Sequence, residues 1–373
     1  MPNDNLVRAR EARNDEFYTQ YNDIEKEVNA YLEYNPDVFR GKTILLPCDD
    51  PEWSNFTKFF ALNFETFGLK KLISTSYAPE SREISVWEPT LFETEDPQYD
   101  ANKSKTNGKI FILERDVRGD GRIDVEDLEW EYLEGDGDFR SEEICKLRDE
   151  ADFIITNPPF SLFREFVAWI FDAQKQFLII GNMNAITLKE VFPLIMNDEM
   201  WLGFSIHSGD RKFGVPDYYP LNAAGCGIDE YGQRYIRVKG VRWFTNMDHG
   251  RRHEPLSLMT MADNLKFSRH KEIRGQTEYQ HFDNYDAINV PYTDAIPSDY
   301  DGMMGVPISF LDKYSPEQFD ILGITQRNDD PYKIKKYTVD EYPNANDLNA
   351  RGVIIVDGRP KSVYARILIR KKQ

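Results

Sequence analysis

Long apolar runs and paired cysteines are both missing from this sequence of 373 residues. No stretch is long and apolar enough to cross a bilayer, and the first residues have no apolar segment typical of a secretory signal. The three cysteines, Cys48, Cys145 and Cys226, are far apart and lack the short spacing of a metal site. This set is typical of reduced thiols, and it predicts a cytoplasmic protein with a substantial buried core.

Positive charge is also scarce, because 46 basic residues face 64 acidic ones and the formal net charge is −18. The deficit is regional, since residues 80–152 hold twenty-three acids against ten bases. Basic clusters follow residue 240, at 249–253, 268–274, 332–337 and in the closing RILIRKKQ. A solvated surface explains each cluster by itself, but a positive face for nucleic acid is not excluded.

Strand-like and helix-like segments alternate through the first half of the chain. Apolar runs typical of buried strands lie at 44–46, 70–75, 152–156 and 175–182. Between the first two runs, phenylalanines recur at helical spacing from Ser54, a capping residue, to Gly68, a helix terminator. The alternation predicts an α/β fold with a doubly wound, mainly parallel sheet.

The regular alternation fades after about residue 200. We therefore predict a core at 1–200, with an acidic insertion at about 80–130, and an irregular substrate-facing region at 201–373. Within that region, the sequence from Ser315 to Gln318 has the residue types of a capping box and predicts the start of a helix.

The sharpest signal is the tetrapeptide Asn157-Pro158-Pro159-Phe160, which follows an apolar run. In a parallel sheet it would lie at the carboxyl end of a strand, where ligands bind. The Asn157 side-chain carbonyl and the Pro158 backbone carbonyl can each accept one N–H of a planar amine, such as the exocyclic amine of adenine. Two such acceptors aim the nitrogen lone pair at a methyl donor, and Phe160 offers the base a stacking face. A rigid strand-to-helix turn is the alternative interpretation.

A methyl donor needs contacts of its own, and the loop after the first strand offers several. The candidate cofactor contacts in this loop are Cys48, Asp49, Asp50 and Asn55. Asp49 and Asp50 can accept hydrogen bonds from the ammonium group or ribose hydroxyls of S-adenosylmethionine, and a helix that begins nearby has N–H groups to donate. Acidic loops after strands are common, and the glycine-rich dinucleotide fingerprint is absent.

A second candidate cofactor segment is GDGDFRS at 135–141. Asp136 and Asp138 suit the edge of an adenine ring, and Phe139 suits its face. A solvent-exposed turn explains the same residues equally well.

Two metal-like patterns do not predict a metal site. The sequence at 116–127 resembles a calcium-binding loop, but Arg118 occupies the position of a calcium ligand. His249 and His253 are four residues apart, but no cysteine or carboxylate set completes a site around them.

Several of these segments together make the chain resemble the EcoRI type of DNA adenine-N6 methyltransferase. The similar segments are DEFYTQY (15–21), CDDPEWSNF (48–56), FGLKKLIS (67–74), GDGDFRS, TNPPFSLF, FLIIGNMNAIT, DNYDAINV (283–290), GVPISFLDKYSPEQF and ARILIRKK. The resemblance implies methyl transfer from S-adenosylmethionine to adenine N6 in a short duplex DNA site. It also implies a restriction-modification context, in which a cognate endonuclease is a partner, and a target adenine that swings out of the duplex.

The resemblance also implies roles for particular residues. Asn157, Pro158 and Phe160 match the amine-holding corner, and Phe17, Tyr18 and Thr19 match a segment that closes over the methionine end of the cofactor. Target recognition is expected within about 200–300 or later. The basic residues of that region that are candidates for nucleic-acid contacts are Arg251, Arg252, Arg269 and Lys271.

Two departures from the usual pattern leave open which carboxylate holds the ribose of the cofactor. The loop after the first predicted strand, LPCDDP, lacks the glycines usual in methyltransferases of this fold. The second strand ends without the acid that commonly holds the ribose. A methyltransferase of the same fold that acts on an RNA base or a protein glutamine would use a similar corner. A relative that binds DNA without transferring methyl groups is the non-enzymatic alternative.

Overall fold

The computed structural model describes residues 18–49, 54–78, 94, 96–215, 219, 221, 225–326 and 330–372. The chain forms two compact units. Unit 1 comprises residues 1–185 and 202–248, and unit 2 comprises residues 186–201 and 249–373. None of the described helices is long and apolar enough to span a membrane.

Unit 1 contains two sheets and the longest helices of the described chain. Its strands, with one at the unit boundary, are β1 (Tyr18–Thr19), β2 (Thr43–Leu46), β3 (Lys71–Ser76), β4 (Lys109–Leu113), β5 (Glu129–Tyr132), β6 (Phe153–Thr156), β7 (Gln176–Asn182), β8 (Trp201–Leu202), β9 (Asp210–Gly214), β10 (Gly227–Ile228), β11 (Arg234–Lys239) and β12 (Val241–Thr245). Its helices are α1 (Tyr21–Tyr34), α2 (Asn55–Leu62), α3 (Phe64–Phe67), α4 (Lys103–Thr106), α5 (Glu142–Glu150) and α6 (Phe163–Asp172).

Among the described residues, the larger sheet has eight strands in the order β5-β4-β3-β2-β6-β7-β12-β8. The pairs β2–β3, β2–β6 and β6–β7 are parallel, and their strands are the four predicted apolar runs. The pairs β3–β4, β4–β5 and β7–β12 are antiparallel. The predicted α/β class is therefore confirmed, with a mixed sheet whose four central strands are parallel.

The helical segment between β2 and β3 forms as its sequence predicts, apart from a break at Asn63. The Ser54 hydroxyl accepts a hydrogen bond from the Phe56 N–H at 3.1 Å, which caps α2. Gly68 ends α3 in the left-handed conformation, with φ +64°. The phenylalanines of both helices are buried in the core that covers one face of the large sheet.

The acidic insertion contributes β4 and β5, which extend the sheet antiparallel to β3. Its connecting loop packs Ile123, Val125 and Leu128 against the core of unit 1. The Arg118 guanidinium lies among Asp120, Asp124, Glu126 and Asp127. An internal cation therefore holds these carboxylates together.

A second sheet of unit 1 is antiparallel and has the order β1-β9-β11-β10. Tyr18 pairs with Gly214, and Thr19 pairs with Phe213. This pairing fixes the described start of the chain onto the later half of unit 1.

Unit 2 has short elements separated by irregular chain. Its helices are α7 (Phe192–Met196), α8 (Met261–Phe267) and α9 (Ala345–Ala350). Its strands are β13 (Ile288–Asn289), β14 (Met304–Pro307), β15 (Phe319–Ile324), β16 (Val353–Val356), β17 (Arg359–Ser362) and β18 (Arg366–Lys371). One sheet has the order β13-β14-β18-β15, and β16 and β17 form a hairpin.

The helix predicted from Ser315 is wrong. The Ser315 carbonyl accepts hydrogen bonds from the Gln318 and Phe319 N–H groups at 3.1 and 3.2 Å, which closes a single turn. Residue 319 then begins β15, which pairs with β18. Tertiary pairing of the apolar run after the turn overrides the local helix signal.

Candidate functional site

The loops after two neighbouring parallel strands meet at the carboxyl edge of the large sheet. Asp49 follows β2, and Thr156 is the last residue of β6. The Thr156 hydroxyl lies 2.5 Å from Asp49 Oδ2 and 2.6 Å from the Pro47 carbonyl oxygen, and it can donate to one of them at a time. Asp49 Oδ1 accepts from the Ser54 hydroxyl at 2.8 Å. The first predicted cofactor loop is thus joined directly to the strand that carries Asn157.

The backbone at this junction adopts a conformation of raised free energy. Cys48 has φ +68°, a left-handed conformation that is uncommon for residues other than glycine. This conformation turns the chain so that the Asp49 N–H donates to the Thr75 carbonyl of β3 at 2.8 Å. Asp49 is only 5% exposed, and its carboxylate braces the loop. Asp50 lies outside the described residues.

The Asn157-Pro158-Pro159-Phe160 corner lies where the sequence predicts, at the end of β6. Asn157, Pro158 and Pro159 are buried, whereas Phe160 is half-buried and begins a 3-10 turn that leads into α6. Within the described ranges, the Pro158 carbonyl accepts no hydrogen bond, whereas the Pro159 carbonyl accepts one from the Leu162 N–H at 3.0 Å. An unused carbonyl beside the Asn157 side chain is the pairing that a planar amine requires.

The N-terminal segment reaches the same edge through α2. The Asn55 side chain, at the first position of that helix, donates from Nδ2 to the Thr19 carbonyl at 2.7 Å. Thr19 is buried, and Tyr18 is half-buried beside Gly214. Phe17 lies outside the described residues. Tyr18, Thr19 and Asn55 are therefore brought close to the loop that contains Asp49.

The GDGD turn packs against the carboxyl end of β3. Gly137 has φ +86°, and a Cβ added there would lie 2.3 Å from the Ser76 carbonyl oxygen, so only glycine fits. The Asp136 carbonyl accepts from the Ala78 N–H at 2.8 Å. These contacts bring a third predicted segment to the edge that carries Asp49 and Asn157.

The side chains of this turn are already engaged within the protein. Asp138 holds Arg140 through two hydrogen bonds of 2.9 and 2.5 Å, and this carboxylate raises the pKa of the Arg140 guanidinium. Phe139 is fully buried and packs edge-to-face on Phe166 and Trp169. A ligand could stack on the Phe139 ring only if those neighbours moved.

Two buried hydroxyls mark this edge as suited to a polar ligand. Thr19 Oγ1 and Thr75 Oγ1 are both inaccessible to solvent and have no hydrogen-bond partner in the described part of the chain. Leaving such a group unpaired costs about 1–3 kcal/mol. Hydroxyls, carboxylates and a half-buried aromatic ring are also the groups that suit a cationic sulfonium nucleoside.

Sequence reasoning missed Thr156, Ser54 and Thr75 as parts of the site. Thr156 could have been found as the one hydroxyl residue that ends an otherwise apolar strand just before the corner. The sequence predicts Ser54 only as a helix cap, although its hydroxyl also donates to Asp49. Nothing in the sequence distinguishes Thr75 from an ordinary strand threonine.

The four predicted nucleic-acid contacts of unit 2 differ in their surroundings. Arg252 is 8% exposed, pairs with Asp198 and lies 3.9 Å above the Trp201 ring. Arg251 is half-buried. Arg269 is exposed and pairs with Asp294 at 2.9 Å, whereas Lys271 is exposed and forms no ion pair with any described residue.

Known proteins resemble the chain over almost its whole length. The model of the family described as "Adenine-specific methyltransferase EcoRI" matches residues 5–372. The Type II methyltransferase M.EcoRI of Escherichia coli is 39% identical over 99% of this chain and 96% of its own length. The Type II methyltransferase M.MpnI of Mycoplasma pneumoniae is 30% identical over 98% of both chains. No solved structure matches the chain.

These matches confirm the resemblance found in the motifs. They extend through both compact units, and they include every segment that meets at the carboxyl edge of the large sheet. The chain belongs to the adenine-specific methyltransferase EcoRI family.

Proposed function

We propose that this adenine-specific methyltransferase transfers a methyl group from S-adenosylmethionine to the N6 atom of adenine in a specific duplex DNA site. One observation carries the proposal. The hydroxyl of Thr156, the residue before Asn157, contacts the Asp49 carboxylate and so joins the loop after β2 to the corner. This contact fixes a candidate donor site beside a candidate acceptor site. In this proposal the large sheet is a doubly wound methyltransferase core.

The amine-holding corner acts by position. The Asn157 side-chain oxygen and the unused Pro158 carbonyl each accept one N–H of the adenine amino group. Their fixed directions draw the nitrogen towards tetrahedral geometry and aim its lone pair at the methyl group. Phe160 is half-buried, so part of its ring can stack on the base. A base inside a duplex cannot reach this corner, and the adenine must be extruded first.

S-adenosylmethionine, when bound, supplies an electrophilic methyl group. Thr19 Oγ1 and Thr75 Oγ1 are candidates to bind its polar groups, because both are buried hydroxyls with no described partner. Asp136 is a further candidate for the ribose, since its turn is fixed on the carboxyl end of β3. Asp49 orients the loop through Ser54 and Thr156.

A restriction-modification context is supported by the names of the two relatives, which are both Type II methyltransferases. We propose that the substrate is cytoplasmic DNA and that an endonuclease of the same specificity is the partner. Residues 201–373 are proposed to recognise the target, and residues 249–373 of this region belong to unit 2.

Labelled methyl transfer tests the proposal directly. Purified protein is given S-adenosylmethionine with a labelled methyl group and either duplex DNA, RNA or protein. We expect label in DNA, as N6-methyladenine, and sequencing of methylated adenines from expressing cells should reveal one short motif. Label in RNA or protein alone would establish the alternative substrates, and failure to bind the cofactor in calorimetry would favour a DNA-binding relative without activity.

A further inference from the structure

The end of unit 2 concentrates positive charge. Residues 351–372 contain seven basic residues and one acidic residue, in a chain whose net charge is −18. Arg351 and Lys372 are paired, with Asp347 at 3.5 Å and Asp320 at 3.4 Å. Arg359 and Lys361 are exposed and form no ion pair with any described residue, so their charges are available to an external anion.

The hairpin β16–β17 presents two of these charges on one face. Asp357 and Gly358 form its turn with φ +51° and +72°, the two positive angles of the twisted two-residue turn. Val356 pairs with Arg359, and Ile354 pairs with Lys361. Directly opposed residues of an antiparallel pair project from the same face. Arg359 and Lys361, both exposed, therefore share a face with Ile354 and Val356.

This face borders a cavity of about 420 Å³ within unit 2. Ile354, Val356 and Val363 form part of its apolar lining. Arg366 also lines the cavity, where its Nε donates to Asn289 Oδ1 at 3.3 Å. Burial lowers the pKa of the Arg366 guanidinium, and no carboxylate pairs with it in the described chain.

The polar groups of the cavity suit the edge of a base better than a phosphate. The cavity is lined by three side-chain amides and one guanidinium, those of Gln276, Gln280, Asn289 and Arg366. Planar groups of these kinds can form paired hydrogen bonds with base edges. Glu272 and Glu278 also line the cavity, and their charge would repel a phosphate inside it. Arg359 and Lys361 lie outside this lining, where a DNA backbone could reach them.

We propose that the β16–β17 hairpin and this cavity form a DNA contact of unit 2, in which Arg359 and Lys361 bind backbone phosphates while Arg366 and Gln280 read base edges. The inference rests on the proposed function, since it presupposes a DNA substrate. A two-stranded ribbon of this kind fits the major groove, and the cavity has room for waters that bridge side chains to bases.

The phosphate contacts are tested by the salt dependence of DNA binding. Arg359→Ala/Lys361→Ala is compared with Lys103→Ala/Lys105→Ala, which removes two exposed charges at the same spacing from unit 1. Both are titrated against a mixed-sequence duplex at several salt concentrations. The hairpin variant should reduce the slope of log K against log[salt] by about 2, and the control should leave it unchanged. Equal slopes for hairpin variant and wild type would overturn the phosphate role.

The base contacts are tested by sequence preference. Arg366→Lys keeps the charge but loses the planar fork, and Gln280→Ala changes an exposed side chain that should not affect folding. Each should reduce discrimination at one position of the methylated motif by about 10- to 100-fold, with normal cofactor binding. An unchanged motif in both variants would overturn the reading role.

The two proposals fail differently. If the wild-type protein places no methyl group on any DNA, the proposed function and this inference fall together. If wild-type transfer is normal but the variants keep the wild-type salt slope and motif, only the hairpin assignment is wrong.

Discussion

The two compact units differ in both charge and regularity. Unit 1 has 27 basic and 43 acidic residues, whereas unit 2 has 19 and 21. Unit 1 carries the large sheet and every segment that meets at its carboxyl edge, and unit 2 is built from short strands and turns. The difference teaches that the net charge of a chain is a poor guide to its partners. Nearly all of the −18 belongs to the unit with the cofactor candidates, and the other unit is close to neutral.

The largest effect should come from the corner in unit 1. Asn157→Ala removes one of the two amine acceptors and should lower kcat by about 10²- to 10³-fold, because positioning of the amine is lost. Cofactor affinity, measured by calorimetry, should stay close to that of the wild type. Asn182→Ala, at the end of the neighbouring strand β7, is the control and should retain turnover. A fully active Asn157→Ala enzyme would remove the proposed catalytic centre from unit 1.

A steric test concerns the turn that packs on β3. Gly137→Ala combines a left-handed backbone with a Cβ 2.3 Å from the Ser76 carbonyl. Gly119→Ala has a similar φ of +72° but nothing within 4 Å. The control should cost about 1–2 kcal/mol for its backbone conformation, and the Gly137 variant should cost about twice as much or more. Chemical denaturation measures both, and equal losses would contradict the close packing.

The link between the cofactor loop and the corner has a matched control in the same sheet. Thr156→Val removes the hydroxyl that contacts Asp49, and Thr245→Val removes a buried hydroxyl that donates to the Phe177 carbonyl at 2.7 Å. Each should reduce the free energy of unfolding by about 1–3 kcal/mol. Only Thr156→Val should also weaken cofactor binding in calorimetry. Equal affinities in the two variants would make Thr156 a stability residue alone.

Unit 2 offers a test with two neighbouring arginines. Arg252 is buried on Trp201 and paired with Asp198, so Arg252→Ala should destabilise the protein by about 1–3 kcal/mol in thermal unfolding. Arg251→Ala, which removes a half-buried side chain, should cost less stability than Arg252→Ala. If Arg251 contacts a phosphate, its loss should reduce the salt slope of DNA binding by about 1. A changed salt slope for a folded Arg252→Ala protein, with none for Arg251→Ala, would reverse the assignment.

The smallest effect concerns pH and a buried acid of unit 1. Glu27 accepts hydrogen bonds from Tyr31 and from the Phe204 and Ser205 N–H groups, yet burial raises its pKa above 4.5. Its contribution to stability is fully present below pH 4.5 and is lost as the pH rises through the folded-state pKa. Glu27→Gln should flatten this part of the Tm-against-pH curve. Glu25→Gln, an exposed change on the same helix, should keep the wild-type curve.

Local patterns predicted the central strands and the position of the corner well. Four apolar runs and one helix with a cap and a terminator determine where β2, α2, β3, β6 and β7 lie, and parallel pairing then brings Asp49 close to Asn157. The burial and the partners of individual side chains could not be predicted in this way. Phe139 is buried by aromatic residues from α6, and Arg252 is paired with a residue fifty-four positions earlier in the chain. Contacts of such sequence separation leave no periodic signal.

The order of segments along the chain limits how the two units can be exchanged between relatives. The polypeptide passes from one unit to the other after residues 185, 201 and 248, so neither unit is an uninterrupted piece of sequence. A chimera that takes unit 2 from a relative must transplant both 186–201 and 249–373. Swapping only the later segment would remove Arg252 but keep Asp198, its carboxylate partner, so the two parts of unit 2 would no longer come from one protein.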